Sequence, residues 1–146
     1  MPLPGFSSAG DLPEGVHLAS LSEVISRFAT GSSARQTATA SLLRIHNVAT
    51  GTGKLKRFII FGSYITAKAE PNDVDIVLVM ADDFRFVDCT GEMRSLFIHD
   101  QAAAVFGASV FWVRPAAILK GTLDEFVASW QVKRDQNRRG IVEVTA

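Results

Sequence analysis

The chain has 146 residues, 47% hydrophobic and 21% charged, with 15 lysines and arginines balanced by 15 aspartates and glutamates. That length suits one domain with a real core, and the zero net charge excludes a global electrostatic pull toward nucleic acid or an anionic membrane. The single cysteine, Cys89, excludes an intrachain disulfide and fits a reducing compartment as a simple inert thiol.

Residues 1–15 carry Pro2, Pro4 and Pro13 among glycines and read as a flexible, extended lead-in. They lack the basic and apolar regions of a signal peptide, and no apolar run approaches the roughly 18 residues of a membrane helix. A cytoplasmic protein with no membrane partner is the expectation.

Residues 16–146 read as a single domain. Leu18, Leu21, Val24, Ile25 and Phe28 recur at helical spacing, Ser20 or Ser22 is the candidate cap, Glu23 fits a capping box with Ser20, and Gly31 ends the element. A second helix is expected from about Ser33 to Ala49, with Ala38, Leu42, Leu43, Ile45 and Val48 as its apolar stripe. Gly53-Lys54 superficially suggests a phosphate loop. Val48 stands where that motif needs its first glycine and Leu55 where it needs Ser or Thr, so the stretch reads as a turn.

Continuous apolar runs predict strands at Lys56–Phe61 and Asp73–Met80. A helix is expected over Asp88–Val105, a strand over Ser109–Val113, a helix from Thr122 to about Asn137, and a short closing strand over Ile141–Val144. Interleaved helices and strands without a repeat define an α+β class, with α/β-like interleaving, in which helices pack one side of a short mixed β-sheet.

The chemistry concentrates in residues 61–77. A buried strand ends in Gly62-Ser63, nine residues intervene, and Asp73 and Asp75 open the next strand, separated by Val74. Alternate residues of a strand share a face, so the two carboxylates project together. Close carboxylates repel unless a cation lies between them, and Mg2+ or Mn2+ prefers such oxygen ligands together with substrate phosphates. Gly62 leaves the backbone open to a phosphate, and Ser63 adds a hydroxyl and an amide. Thr66 and Lys68, in the segment after it, are placed to reach the same phosphate, and Pro71 turns the chain back toward the aspartates.

This stretch resembles the signature of the polymerase-beta-like nucleotidyltransferase superfamily. The likeness extends over Leu12-Pro13-Glu14-Gly15-Val16-His17, the Ser22–Phe28 helix, Thr66-Ala67-Lys68, Glu70-Pro71-Asn72-Asp73 and Gly140-Ile141-Val142-Glu143, which look like a small bacterial branch of it. The resemblance implies a nucleotidyltransferase-like fold. It also implies metal-dependent transfer of a nucleoside monophosphate from a nucleoside triphosphate to an acceptor, which could be an RNA, a protein or a small molecule. Asp73 and Asp75 would be the catalytic metal ligands, and Gly62 and Ser63 would hold phosphate. Active members add a third carboxylate on a later strand, where this chain has Ser109. Asp82, Asp100 or Glu143 is the candidate substitute. The other expectation is therefore a catalytically degenerate fold that binds a nucleotide or a protein partner, as in a toxin–antitoxin or defence pair.

His17, His46 and His99 share no metal-ligand spacing, and Trp112 and Trp130 lie in apolar patterns that suit the core. Lys133, Arg134, Arg138 and Arg139 read as a solvated helix end in preference to a phosphate or RNA contact. Arg44, Lys54, Lys56 and Arg57 form a looser group suited to the rim of a polyanion site.

Overall fold

The computed structural model describes residues 3–145. Five strands and five α-helices among these residues are interleaved in an α+β arrangement. They are β1 (Val16–Ser20), α1 (Leu21–Phe28), α2 (Ser33–Gly51), β2 (Leu55–Phe61), β3 (Asp75–Met80), α3 (Gly91–Leu96), α4 (His99–Phe106), β4 (Ser109–Val113), α5 (Leu123–Ser129) and β5 (Ile141–Thr145). The sheet runs in the order β1-β5-β2-β3-β4 and is mixed, with β1 parallel to β5, β3 parallel to β4, and β2 antiparallel to both β5 and β3.

Side-chain alternation divides this sheet into two faces. Phe58, Ile60, Ile76, Leu78 and Val110 point to one of them and are buried. His46 of α2 meets Phe58 edge-on at 5.0 Å between ring centroids, and Trp112 packs edge-to-face on Phe84 and Phe97. The long apolar stripe of α2 and the α3–α4 pair therefore cover this face, although Leu43 stays 40% exposed. The opposite face carries Phe61, Asp75, Ser109 and Phe111. There α5 and the residue after it lie across the sheet, with Trp130 4.8 Å from Phe61 and Asp124 paired to Arg57 of β2. The helices are thus not confined to one side, because Val127 and Trp130 need the second face for burial.

Several expected boundaries move for identifiable reasons. The Leu18 register is not helical. Residues 16–20 form a parallel edge strand on Ile141–Thr145, and Leu18 points outward at 59% exposure. Helix α1 begins after it, where the Ser20–Glu23 capping box forms as expected. The expected helix over 88–105 is two helices broken at Phe97-Ile98, which lets Phe97 enter the cluster with Phe84 and Trp112. The last helix stops at Ser129 rather than near Asn137. The Gln131 side chain donates to the Ala128 carbonyl and accepts from the Gly15 amide, ending the helical ladder.

Residues 3–15 lie against the domain: Leu12 is 1% exposed, and Arg27 donates to the carbonyls of Leu3 and Pro4. No helix among the described residues is long and apolar enough to cross a membrane. Cys89 is buried, and burial pushes its thiol above the ordinary range, away from the reactive thiolate.

Candidate functional site

Strand β2 runs antiparallel to β3, so its last residue, Phe61, pairs with Asp75, the first of β3. Asp75 in turn pairs with Ser109, the first residue of β4. The C-terminal end of one central strand thereby meets the start of two others, and the chain reversals open a cleft of about 750 Å3. Gly62, Ser63, Asp73, Asp75 and Ser109 all line it. The four central residues of the sequence motif are therefore brought together on one cleft.

Gly62 is required twice over. Its φ of 82° lies in the left-handed region that side chains avoid, and a Cβ there would overlap the Asp75 carboxylate. The backbone at Gly62 and the Asp75 carboxyl group are thus packed against each other, which fixes where both sit. Asp73 belongs to the approach to β3 rather than to the strand itself, yet it reaches the same place. Ser109 Oγ donates to Asp73 Oδ2 at 3.2 Å.

The pair is electrostatically unfavourable in isolation. Burial, and then the like charge of Asp73, push the Asp75 carboxyl up to about 6, while Ser109 and Arg139 oppose the shift. The donor set consists of carboxylate and hydroxyl oxygens, which suit a hard divalent cation and offer nothing to a soft one. Among the described residues, no group of three His, Cys, Asp or Glu converges to hold a metal. At the third position stands the hydroxyl of Ser109.

None of the candidate substitutes lines the cleft. Glu143 is held by Arg57 at 2.7 and 3.0 Å, Asp82 accepts from the Ala116 amide, and Asp100 is exposed at the start of α4. Thr66 and Lys68, expected to reach phosphate, do not line this cleft. Thr66 is 6% exposed and donates to the Ser63 carbonyl, closing the short turn after Gly62, and Lys68 is exposed outside the cleft.

Two features were not legible as site residues. Arg35 of α2, 6% exposed, donates to the carbonyls of Phe28, Tyr64, Thr66 and Lys68. One planar guanidinium thus secures the loop that follows Gly-Ser. A lone arginine in a helical pattern carries no such signal. The second feature is the basic rim. Lys133, Arg134 and Arg139 line the cleft, on the turn that follows α5. Reading them as a solvated helix end fails because the helix has already ended at Ser129. Asp11 holds two of them, at 3.3 Å from Lys133 and 3.6 Å from Arg139, while Arg134 has no ion pair among the described residues. The group expected as a rim lies elsewhere. Arg44 pairs with Glu92, Lys54 with Asp83, and Arg57 with Asp124 and Glu143.

The molecule is thus an α+β protein with a mixed five-stranded sheet, whose central strand ends converge on a paired-carboxylate cleft with a cationic rim. The chain belongs to a family of unknown function, DUF6932, which matches residues 4–145. No curated protein and no solved structure matches it.

Proposed function

We propose that this chain is a nucleotidyltransferase of the polymerase-beta-like kind, transferring a nucleoside monophosphate from a nucleoside triphosphate to an acceptor hydroxyl. The observation that carries the reading is the convergence of Gly62, Ser63, Asp73 and Asp75 on one cleft with cations along its rim. It joins the sequence resemblance to a physical requirement. A nucleoside triphosphate brings negative charge and oxygen ligands, and the cleft offers a place for each.

In this reading Asp73 and Asp75 hold Mg2+ or Mn2+, which when bound supplies positive charge to the phosphate oxygens. The side of Gly62 expected to admit phosphate is taken by the Asp75 carboxyl group, so Gly62 seats that carboxylate, and Ser63 donates to the phosphate. Lys133, Arg134 and Arg139 balance the charge of the pyrophosphate that leaves as the acceptor oxygen forms its bond to the α-phosphorus. Arg35 keeps the loop in register for these contacts by holding its carbonyls.

Ser109 favours a second reading. A neutral hydroxyl that donates to Asp73 adds no negative charge and is no base for the acceptor proton. On that view the fold binds a nucleotide or a protein partner without turnover. Calorimetric titration with each nucleoside triphosphate, with and without Mg2+, followed by a labelled-nucleotide transfer assay, separates the two. Metal-dependent binding with transfer supports the enzyme, and binding without transfer supports the module. Failure of every triphosphate to bind in Mg2+ defeats both nucleotide readings.

A further inference from the structure

We propose that Phe111 and Trp130 form an aromatic wall against which the base of the bound nucleotide packs, an inference that rests on the nucleotide site described above. Phe111 follows Ser109 by two residues on β4, so both side chains point to the face that carries Asp75. At about 3.3 Å of rise per residue, Phe111 stands roughly 7 Å along the strand from the level of Ser109 and Asp75. That offset is comparable with the ribose that separates a base from its phosphates.

Phe111 lines the cleft and is 38% exposed, an apolar ring left in a mostly polar opening. It is held in place: Trp130 lies 5.1 Å away, His99 4.9 Å and Phe61 6.2 Å between centroids. Trp130 is fixed in turn by Phe61 and by Phe126 at 6.0 Å. Its indole N–H is shielded from solvent and has no hydrogen-bond partner among the described residues. A rigid wall loses little entropy on contact with a flat ligand, and every base has a π-face that suits it. Lys133, Arg134 and Arg139 line the same cleft, so cations for the phosphates and a ring for the base open onto one space. Stacking of this kind is tolerant of base identity, so all four nucleoside triphosphates are accommodated, with the larger purines bound more tightly.

The test compares each nucleoside triphosphate with inorganic tripolyphosphate, both in Mg2+, on the full chain. The unmodified protein is expected to bind the nucleotides about tenfold or more tightly than tripolyphosphate. Phe111→Ala removes that preference while leaving tripolyphosphate binding unchanged, and Phe111→Tyr retains it. Phe111→Leu keeps apolar volume on the strand without a ring, so it reports on stacking even where the alanine variant does not fold, and it too loses the preference. Equal affinity of the unmodified protein for nucleotides and tripolyphosphate overturns the wall and leaves the phosphate site standing. A parallel loss of both ligands in folded Phe111→Leu also overturns it. No binding of either ligand to the unmodified protein removes the nucleotide site and the wall together.

Discussion

Replacing Asp75 by asparagine keeps the shape that packs against Gly62 and removes one of two facing negative charges. In the folded protein Asp75 is pushed from 3.8 up to about 6, chiefly by burial and next by Asp73. For an acid raised in this way the folded state holds the proton more tightly than the unfolded chain. The stabilising contribution is full below about pH 4 and is lost as pH rises through about 6. The difference between 3.8 and about 6 sets a ceiling of about 3 kcal/mol, and solvent access to the half-buried carboxylate reduces it to about 1–2 kcal/mol. Asparagine does not titrate, so without divalent cations the variant is expected to be more stable than the unmodified chain at pH 8. The expected rise in Tm is about 3–6 °C, shrinking toward zero near pH 4. Thermal melts in a chelator across pH 4–8 measure it. A lower Tm at pH 8, or a gain that does not change with pH, refutes the reasoning and makes Asp75 a structural residue. With Mg2+ and a nucleoside triphosphate the order reverses: the unmodified chain gains Tm through ligand linkage and the variant does not.

Gly62→Ala forces both a left-handed backbone and an overlap with the Asp75 carboxylate, so a loss of about 2–4 kcal/mol is expected in urea unfolding. A loss below about 1 kcal/mol would mean that the loop yields easily. Arg35→Met strips donors from four carbonyls and is expected to cost about 2–4 kcal/mol. Arg35→Lys recovers only part of this, because an ammonium cannot reproduce the planar fork. Metal-dependent nucleotide binding is expected to weaken as pH falls below about 6, where Asp75 becomes protonated, and isothermal titration at pH 5 and 8 measures the drop. Ser109→Asp, assayed with labelled triphosphates and Mn2+ or Mg2+, is expected to gain transfer. Robust transfer by the unmodified chain that is lost on mutating Asp100 or Glu143 would show that the third carboxylate has moved.

Local chemistry determined much of this protein from its sequence. The strand ending in Gly62-Ser63, the aspartates at 73 and 75, the capping box at Ser20 and Glu23, and the neutral Ser109 were all legible. Each depends on neighbours within a few residues, on alternation along a strand, or on backbone freedom at a glycine. What depended on partners far along the chain was decided only by tertiary structure. Leu18 sits in a helical spacing, but residues 16–20 become a strand because Ile141–Thr145, at the far end of the chain, offer a parallel edge. Lys133, Arg134 and Arg139 look like a charged helix end until Gln131 bonds the Gly15 amide and the Ala128 carbonyl, Trp130 packs on Phe61, and the helix stops early. Phe111 and the basic rim come to line the cleft, and Arg35 comes to hold the loop after Gly62-Ser63, for the same reason. Burial, long-range hydrogen bonds and the crossing of α5 over the sheet set which distant side chains share a cleft, and no local periodicity encodes that.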